Sequence, residues 1–444
     1  MIFKRKLYNK LLAWKHQAAG TKALLIEGAR RIGKSTLVEE FAKNEYRSYL
    51  LIDFNKVSDS VVSAFNNYMN DLDTFFLILS SEYGVKLYSK ESVIIFDEIQ
   101  QFPKARQAIK YLVADGRFDY IETGSLISIK ENVKDITIPS EERALTMYPM
   151  DFEEFAWAMD EEPLMTYIRQ CFDKRVPLEQ GLHAKAMLLF RQYMIVGGMP
   201  KSLSAYMENN RSFEMADMEK RDILTLYRND IMKINSGYRS SVLSIFDQIP
   251  AFLSRSERRV VMNRIEKGAS FPKYHDTFFW LSDSMIANEC FNCSDPNVGL
   301  SLNEDRTYVK CYMGDTGLLI SHTFDENEIS DGELYREILL GKLSVNEGMF
   351  YENVIAQMLV AAGHKLYFYT RYNEEKHRND MEIDFILSNQ SKLKYKIFPI
   401  EVKSNDKYTI RSLIKFKESF HQRIGECYVI HPKNLYVKEG VVYL

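Results

Sequence analysis

The chain has 444 residues, 46% of them apolar, five cysteines and a formal net charge of −3. That is length for about three domains and apolar content for ordinary cores, while no apolar run approaches the ~20 residues that span a bilayer. An odd cysteine count in a long chain argues against a disulfide scaffold and for a reducing compartment. The basic start, Met1-Ile2-Phe3-Lys4-Arg5-Lys6, leads into mixed helical sequence rather than a secretory apolar core, so a cytoplasmic location without membrane contact is expected.

The first strong pattern runs from Lys22 to Thr36. A strand over Ala23 to Ile26 feeds Gly28-Ala29-Arg30-Arg31-Ile32-Gly33-Lys34-Ser35, which fits G-x-x-x-x-G-K-[ST], and a helix follows over Leu37 to Ala42. Gly28 and Gly33 let the backbone turn tightly with its N–H groups inward, and the new helix presents its positive end to the same point. Lys34 then reaches the β- and γ-phosphates of a nucleoside triphosphate, and the Ser35 hydroxyl ligates Mg²⁺, with Thr36 beside it. Arg30 and Arg31, inside the loop, are placed to guard or sense the nucleotide.

Ser48 to Phe54 reads as a second strand and Asp71 to Tyr83 as an amphipathic helix. Ser92 to Glu98 is a continuous apolar run ending in two acids, the pattern of a strand buried on both faces of a parallel sheet. Carboxylates at such a strand end need partners or metal. Asp97 is the expected member of the Mg²⁺ shell, and Glu98 the group that polarises the attacking water. A strand over Phe118 to Thr123 runs into Gly124-Ser125, and Ser125 is a candidate to sense the γ-phosphate. The alternation of strand and helix up to about Met150 predicts an α/β fold, a parallel sheet with helices on both faces. Ligands sit at the carboxyl ends of such strands, which puts Gly28–Ser35, Asp97, Glu98 and Ser125 on one edge. No guanine-reading N-K-x-D is visible, so ATP is the expected nucleotide.

Asp151 to Trp157 opens a helical stretch that continues to about Asn235, broken at Gly197-Gly198-Met199-Pro200. Short helices are expected over Val242 to Phe252, Glu257 to Ile265 and Tyr274 to Ser282, then extended segments over Arg306 to Met313 and Gly317 to Ser321. Helices followed by a short hairpin suggest a winged-helix module. Cys290 and Cys293 form a C-x-x-C with Cys311 downstream, but a Zn²⁺ site wants a second pair, so packed thiols are expected. Arg143 offers itself as an arginine finger, although a solvated helix or loop arginine is the favoured reading.

The last segment returns to mixed α/β. From Lys365 to Leu444 it carries 15 Lys/Arg against 10 Asp/Glu, a basic bias that hints at a polyanionic partner. Met381 to Leu387 and Ile397 to Lys403 are strand patterns with acids inside apolar sequence. If they pair as a hairpin, Asp384 lies beside Glu401, and these two carboxylates with a backbone carbonyl bind Mg²⁺ while Lys403 orients a water. This is the D…E-x-K pattern of restriction-type nucleases. Glu347 and Glu352 lie upstream on a helix expected over Asn346 to Ala361, and Glu352 is the better additional ligand. The alternative is a nuclease-like fold that binds a protein or nucleic acid without cleaving.

Taken in order, GARRIGKS, VIIFDEIQ, the TGS at Thr123–Ser125, MYPMDFEEF, VGGMP, CYMGDTGLL, NEGMFYEN, EIDF and PIEVKS resemble bacterial and archaeal AAA-type ATPases. In that family a C-terminal domain of uncharacterised function has a restriction-endonuclease-like core. The resemblance implies an AAA-like ATPase over 1–150, a helical region over 151–235, a winged-helix-like region over 236–342 and a nuclease-like domain over 343–444. By position it makes Gly28, Gly33, Lys34, Ser35, Asp97 and Glu98 the ATP machinery, and Asp384, Glu401 and Lys403 the nuclease-like triplet. DNA, reached through the winged-helix and C-terminal regions, is the implied partner. The motifs identify no arginine finger and leave the oligomeric state open.

Overall fold

The computed structural model describes residues 1–125, 140–234, 237–255, 258–260, 265, 271–325, 332–342, 347–373, 378–391 and 394–444. They form two compact units, Met1–Tyr148 with Asp283–Met285, and Pro149–Ser282 with Ile286–Leu444. Among the described residues no helix is long and apolar enough to cross a membrane.

The first unit runs α1 (Leu7–Gln17), β1 (Ala23–Gly28), α2 (Lys34–Glu45), β2 (Ser48–Asp53), α3 (Asp59–Asn67), α4 (Leu72–Tyr83), β3 (Ser92–Asp97), α5 (Pro103–Asp115), β4 (Asp119–Ser125) and β5 (Glu142–Met147). The strands make one parallel sheet in the order β2-β3-β4-β1-β5. Every residue of β3 is buried, as its unbroken apolar run requires. Ile94 and Phe96 join Leu25, Ile52, Phe65, Phe75 and Ile109 in the core under α3, α4 and α5. The alternate residues Val93 and Ile95 are buried on the opposite face, where α2 packs. Asp71, expected as the first helical residue, is instead the N-cap of α4: its carboxylate accepts from the Thr74 amide at 3.2 Å. Arg143 lies in neither helix nor loop. It sits on β5, opposite Leu24, on the sheet's edge, where half-exposed residues hide the strand pattern.

The second unit opens with helices α6 (Phe152–Ala158), α7 (Glu162–Lys174), α8 (Gln180–Val196), α9 (Pro200–Glu208), α10 (Phe213–Met232), α11 (Arg239–Leu253) and α12 (Phe271–Asp283). Then follow β6 (Ala287–Cys293), β7 (Glu304–Met313), α13 (Thr316–Thr323), α14 (Glu333–Leu340), α15 (Glu347–Ala361), β8 (Leu366–Asn373), β9 (Arg378–Ile383), β10 (Phe385–Ser391), β11 (Lys394–Val402), α16 (Arg411–Ser419), β12 (Cys427–Ile430), β13 (Tyr436–Lys438) and β14 (Val441–Tyr443). The helix expected over Glu257 to Ile265 falls largely outside the described residues. Gly317 to Ser321 is not extended: it is the middle of α13, so the partner of β7 is the upstream β6. Residues Thr316 to His322 are buried all round, which removes the period that distinguishes helix from strand. The antiparallel pair β6–β7 is also not isolated. β6 pairs in parallel with β8, and the four strands form a mixed sheet β7-β6-β8-β9. A second mixed sheet has the order β10-β11-β12-β14-β13.

Four of the sequence motifs have a structural explanation in this unit. Asp151 and Glu154 form a capping box at the start of α6, with side-chain to backbone distances of 2.9 and 3.3 Å. The Asp315 carboxylate accepts from the Gly198 amide at 2.6 Å and the Leu318 amide at 3.0 Å, joining the VGGMP turn to the start of α13. A Cβ on Gly317 would lie 2.7 Å from Gly197 Cα, so the two backbones meet only because both residues are glycine. Asn353 and Gln357 of α15 complete the knot by accepting from the Met313 and Thr316 amides, each at 2.8 Å. All five cysteines are free and buried, as expected for packed thiols.

Candidate nucleotide site and a buried acidic cluster

β1 delivers the chain to Gly28, where an added Cβ would overlap the Met147 carbonyl oxygen and lie 2.6 Å from Ile32 Cδ1. Only glycine lets the loop fold back so closely. Arg31 and Gly33 both take left-handed backbone, at φ 65° and 89°, and turn the chain into α2. Ile32 is fully buried and anchors the middle of the loop. A residue that sequence reasoning passed over holds it there: the Arg5 guanidinium donates to the Ile32 carbonyl at 3.0 Å and to the Tyr148 carbonyl at 2.6 Å. Its only sequence signal was a basic N-terminus.

Gly33 caps α2 with no side-chain acceptor, so the first-turn N–H groups face the loop with the helix dipole behind them. Lys34 is buried and donates to the Gly28 and Ala29 carbonyls at 3.0 and 2.7 Å. Burial draws its pKa down to about 8, against the pull of Glu98 and Asp97. Register explains why the acids lie near it. Ser125 ends β4 directly opposite Gly28, and Asp97 ends β3. The Ser35 hydroxyl donates to Asp97 Oδ1 at 2.7 Å, and Thr123 donates to the same oxygen. Glu98 has left-handed backbone at φ 54°, and its carboxylate accepts from the Gln100 side chain, a partner the sequence did not flag. Arg30 acts on Lys34 through its charge, while Arg31 and Thr36 are exposed. Ser35 and Asp97 offer hard oxygens of the kind Mg²⁺ prefers, and such a site takes its remaining ligands from phosphate and water.

Parallel sheet, glycine loop and buried lysine define an α/β domain of P-loop NTPase type. In agreement, residues 20–156 match a family model described as an AAA domain. Residues 187–328 and 347–443 match two domains of unknown function, DUF8612 and DUF4143. No curated protein is significantly similar to the chain. Similar solved structures include the S. cerevisiae Hsp104–ADP complex, at 11% identity and TM-score 0.30 over 82% of this chain. The chain spans less than half, 44%, of that Hsp104 chain. AMPPCP-bound DnaA from Aquifex aeolicus is similar at 11% identity and TM-score 0.26 over 64% of this chain and 90% of its own. Cdc6p from Pyrobaculum aerophilum follows at 10% and 0.27 over 72% and 93%. The C-terminal match is to a domain of unknown function and lends no support to the nuclease-like expectation.

In the second unit, Phe385 of β10 pairs with Ile400 of β11, which sets Asp384 beside Glu401. The Val402 amide donates to Asp384 Oδ2 at 2.8 Å. Glu401 is almost fully buried, and burial pushes its pKa up to about 7 despite an ion pair with Lys403 at 2.8 Å. Glu352 of α15 joins them, whereas Glu347 stands near Arg191 instead.

A protein cation stands on the Asp384 side of this pair of carboxylates. Lys310 of β7 is buried with its ammonium 3.3 Å from Glu352, 3.3 Å from Glu382 and 4.0 Å from Asp384. Arg258 and the Tyr312 hydroxyl also bind the Glu352 carboxylate. Among the described residues no group of three or more His, Cys, Asp or Glu is arranged to hold a metal ion. The expected pair of carboxylates is present with Lys403 bound to Glu401 at 2.8 Å, and beside it Lys310 centres an ion-pair cluster on Glu352, Glu382 and Asp384. Sequence reasoning missed Lys310, although a lone cation inside the apolar strand Tyr308 to Met313 needs an anionic partner.

Proposed function

We propose that this protein binds ATP with Mg²⁺ and hydrolyses it, and that its nucleotide state controls a DNA-binding, nuclease-like C-terminal region. The observation that carries the first part is the meeting of Lys34, Ser35 and Asp97 at the sheet's carboxyl edge. The first-turn amides and Lys34 hold the β- and γ-phosphates, and Ser125 contacts the γ-phosphate from β4. Ser35 and Asp97 hold the metal ion, whose charge offsets that on the phosphate oxygens. Glu98, fixed by Gln100, orients the attacking water. Lys34→Ala is expected to lower ATP turnover by about 10²–10³-fold in a phosphate-release assay; turnover at the wild-type rate refutes the assignment.

The ion pairs of Lys310 favour a second reading of the C-terminal region, a nuclease-like fold that binds without cutting. Incubation with Mg²⁺ or Mn²⁺ and single- or double-stranded DNA is then expected to give salt-sensitive binding and intact DNA. Cleavage that disappears in Asp384→Ala supports the nuclease instead.

A further inference from the structure

Helices α6, α7 and α8, with α15 and the segment after β12, line a half-open cavity of about 430 Å³. That volume lies in the ordinary range for small-molecule sites. Phe152, Met187, Phe190, Ile355 and Met358 contribute apolar walls. One rim is pinned by Asn434, whose side chain donates to the Leu178 carbonyl at 2.6 Å and accepts from its amide at 2.9 Å.

Two polar atoms in this apolar setting, Tyr351 Oη and His431 Nε2, meet no partner at full hydrogen-bond geometry; Arg191 is near the phenol and the Asn434 backbone near the imidazole. Both residues line the cavity, and they are only 2% and 4% exposed. An unpaired buried polar atom carries a desolvation penalty that a ligand atom can relieve. Burial raises the Tyr351 pKa and lowers that of His431, so the pair is a neutral phenol and a neutral imidazole near pH 7. His431 Nδ1 lies 2.8 Å from the Tyr408 hydroxyl. In the tautomer where that hydroxyl donates to Nδ1, the imidazole proton sits on Nε2 and the cavity presents two donors; in the other, Nε2 is an acceptor and Tyr351 the one donor of the pair.

Charge narrows the ligand class. Arg169, His183 and Lys433 belong to the lining, and no Asp or Glu does among the described residues, while behind the Tyr351 hydroxyl Arg191 and Glu347 act on it with opposite charges. Arg169 is also held by Glu153 at 2.8 Å, and Lys433 lies 3.9 Å from Asp406, so both acids stand outside the lining. Two donors in the first tautomer, a basic border and aromatic and methionine walls suit one kind of molecule.

We propose that this cavity binds a small apolar carboxylate, an aliphatic or aromatic acid, whose carboxylate is received by Tyr351 and His431 and whose tail lies among the phenylalanine and methionine side chains. The proposal does not rest on the nucleotide site. Its test uses the full chain without nucleotide and a dansyl-labelled undecanoate as the fluorescent probe. Saturable binding is expected, with displacement by dodecanoate about tenfold stronger than by dodecanol. Met187→Trp, which fills the cavity, is expected to raise the probe's Kd at least about tenfold. Tyr351→Phe keeps the volume and is expected to weaken dodecanoate while leaving dodecanol unchanged. Circular dichroism and the thermal midpoint confirm that each variant is folded. Absence of saturable binding, equal displacement by acid and alcohol, or wild-type affinity in folded Met187→Trp overturns the proposal.

Discussion

Two buried lysines, one in each unit, meet acids in opposite ways. Lys34 donates to two backbone carbonyls, while Asp97 and Glu98 act on it through their charge and are hydrogen-bonded elsewhere. Lys310 is held directly by carboxylates from α15, β9 and the turn before β10. A buried cation whose partners are dipoles keeps most of its field for an incoming anion. One whose partners are full charges is neutralised where it stands. The same residue type therefore marks a candidate binding site in the first unit and a closed ion-pair network in the second.

The sharpest way to break this contrast is Lys310→Met. It removes the ammonium shared by the buried Glu352 and the partly exposed Glu382 and Asp384 and leaves Arg258 on Glu352; removing one partner from a buried pair costs about 3–5 kcal/mol. Urea unfolding should show that loss, and added Mn²⁺ should raise the midpoint of the variant but not of the wild type. An unchanged midpoint in the variant would remove Lys310 as the neutralising group.

Glu401 gives the next largest effect. Its folded pKa of about 7 lies above the ordinary ~4.3 of a glutamate. Between those values the native chain holds a proton that the unfolded chain has lost, so stability falls as pH rises and levels off above the folded pKa. The fall amounts to about 4 kcal/mol over that window. Glu401→Gln should flatten this part of the pH–stability profile, and a profile equally steep in the variant contradicts the shift.

Arg5→Met is the smallest perturbation and bears on the other lysine. It removes both bonds that tie the glycine loop at Ile32 and Tyr148, at a cost of about 1–3 kcal/mol for the carbonyls left unpaired. A lower thermal midpoint and weaker ATP binding are expected together; a lower midpoint with unaltered ATP affinity would show that Arg5 supports the fold but not the loop.

The nucleotide loop was legible because its elements are consecutive: a strand, two glycines and a helix within Ala23–Glu45. β3 was legible because burial on both faces leaves an unbroken apolar run. Neither Arg5 nor Lys310 could be read that way, since Arg5 meets Tyr148 at a separation of 143 residues and Lys310 meets Glu352 at 42. Local pattern is silent on such pairs. α13 was misread for the opposite reason, because complete burial erased its period. In the C-terminal segment the sequence indicated correctly that Asp384 and Glu401 stand side by side, but the lysine beside Asp384 came from a strand far upstream.

Helix α15 carries Tyr351 to the apolar cavity and the very next residue, Glu352, to Lys310. Neighbouring side chains on a helix point about 100° apart, and each residue advances the axis by about 1.5 Å. The helix thus works as a rigid spindle with a different lock on either side. A turn or slide large enough to reseat the phenol also drags the carboxylate away from its ammonium, so neither lock can be re-keyed alone.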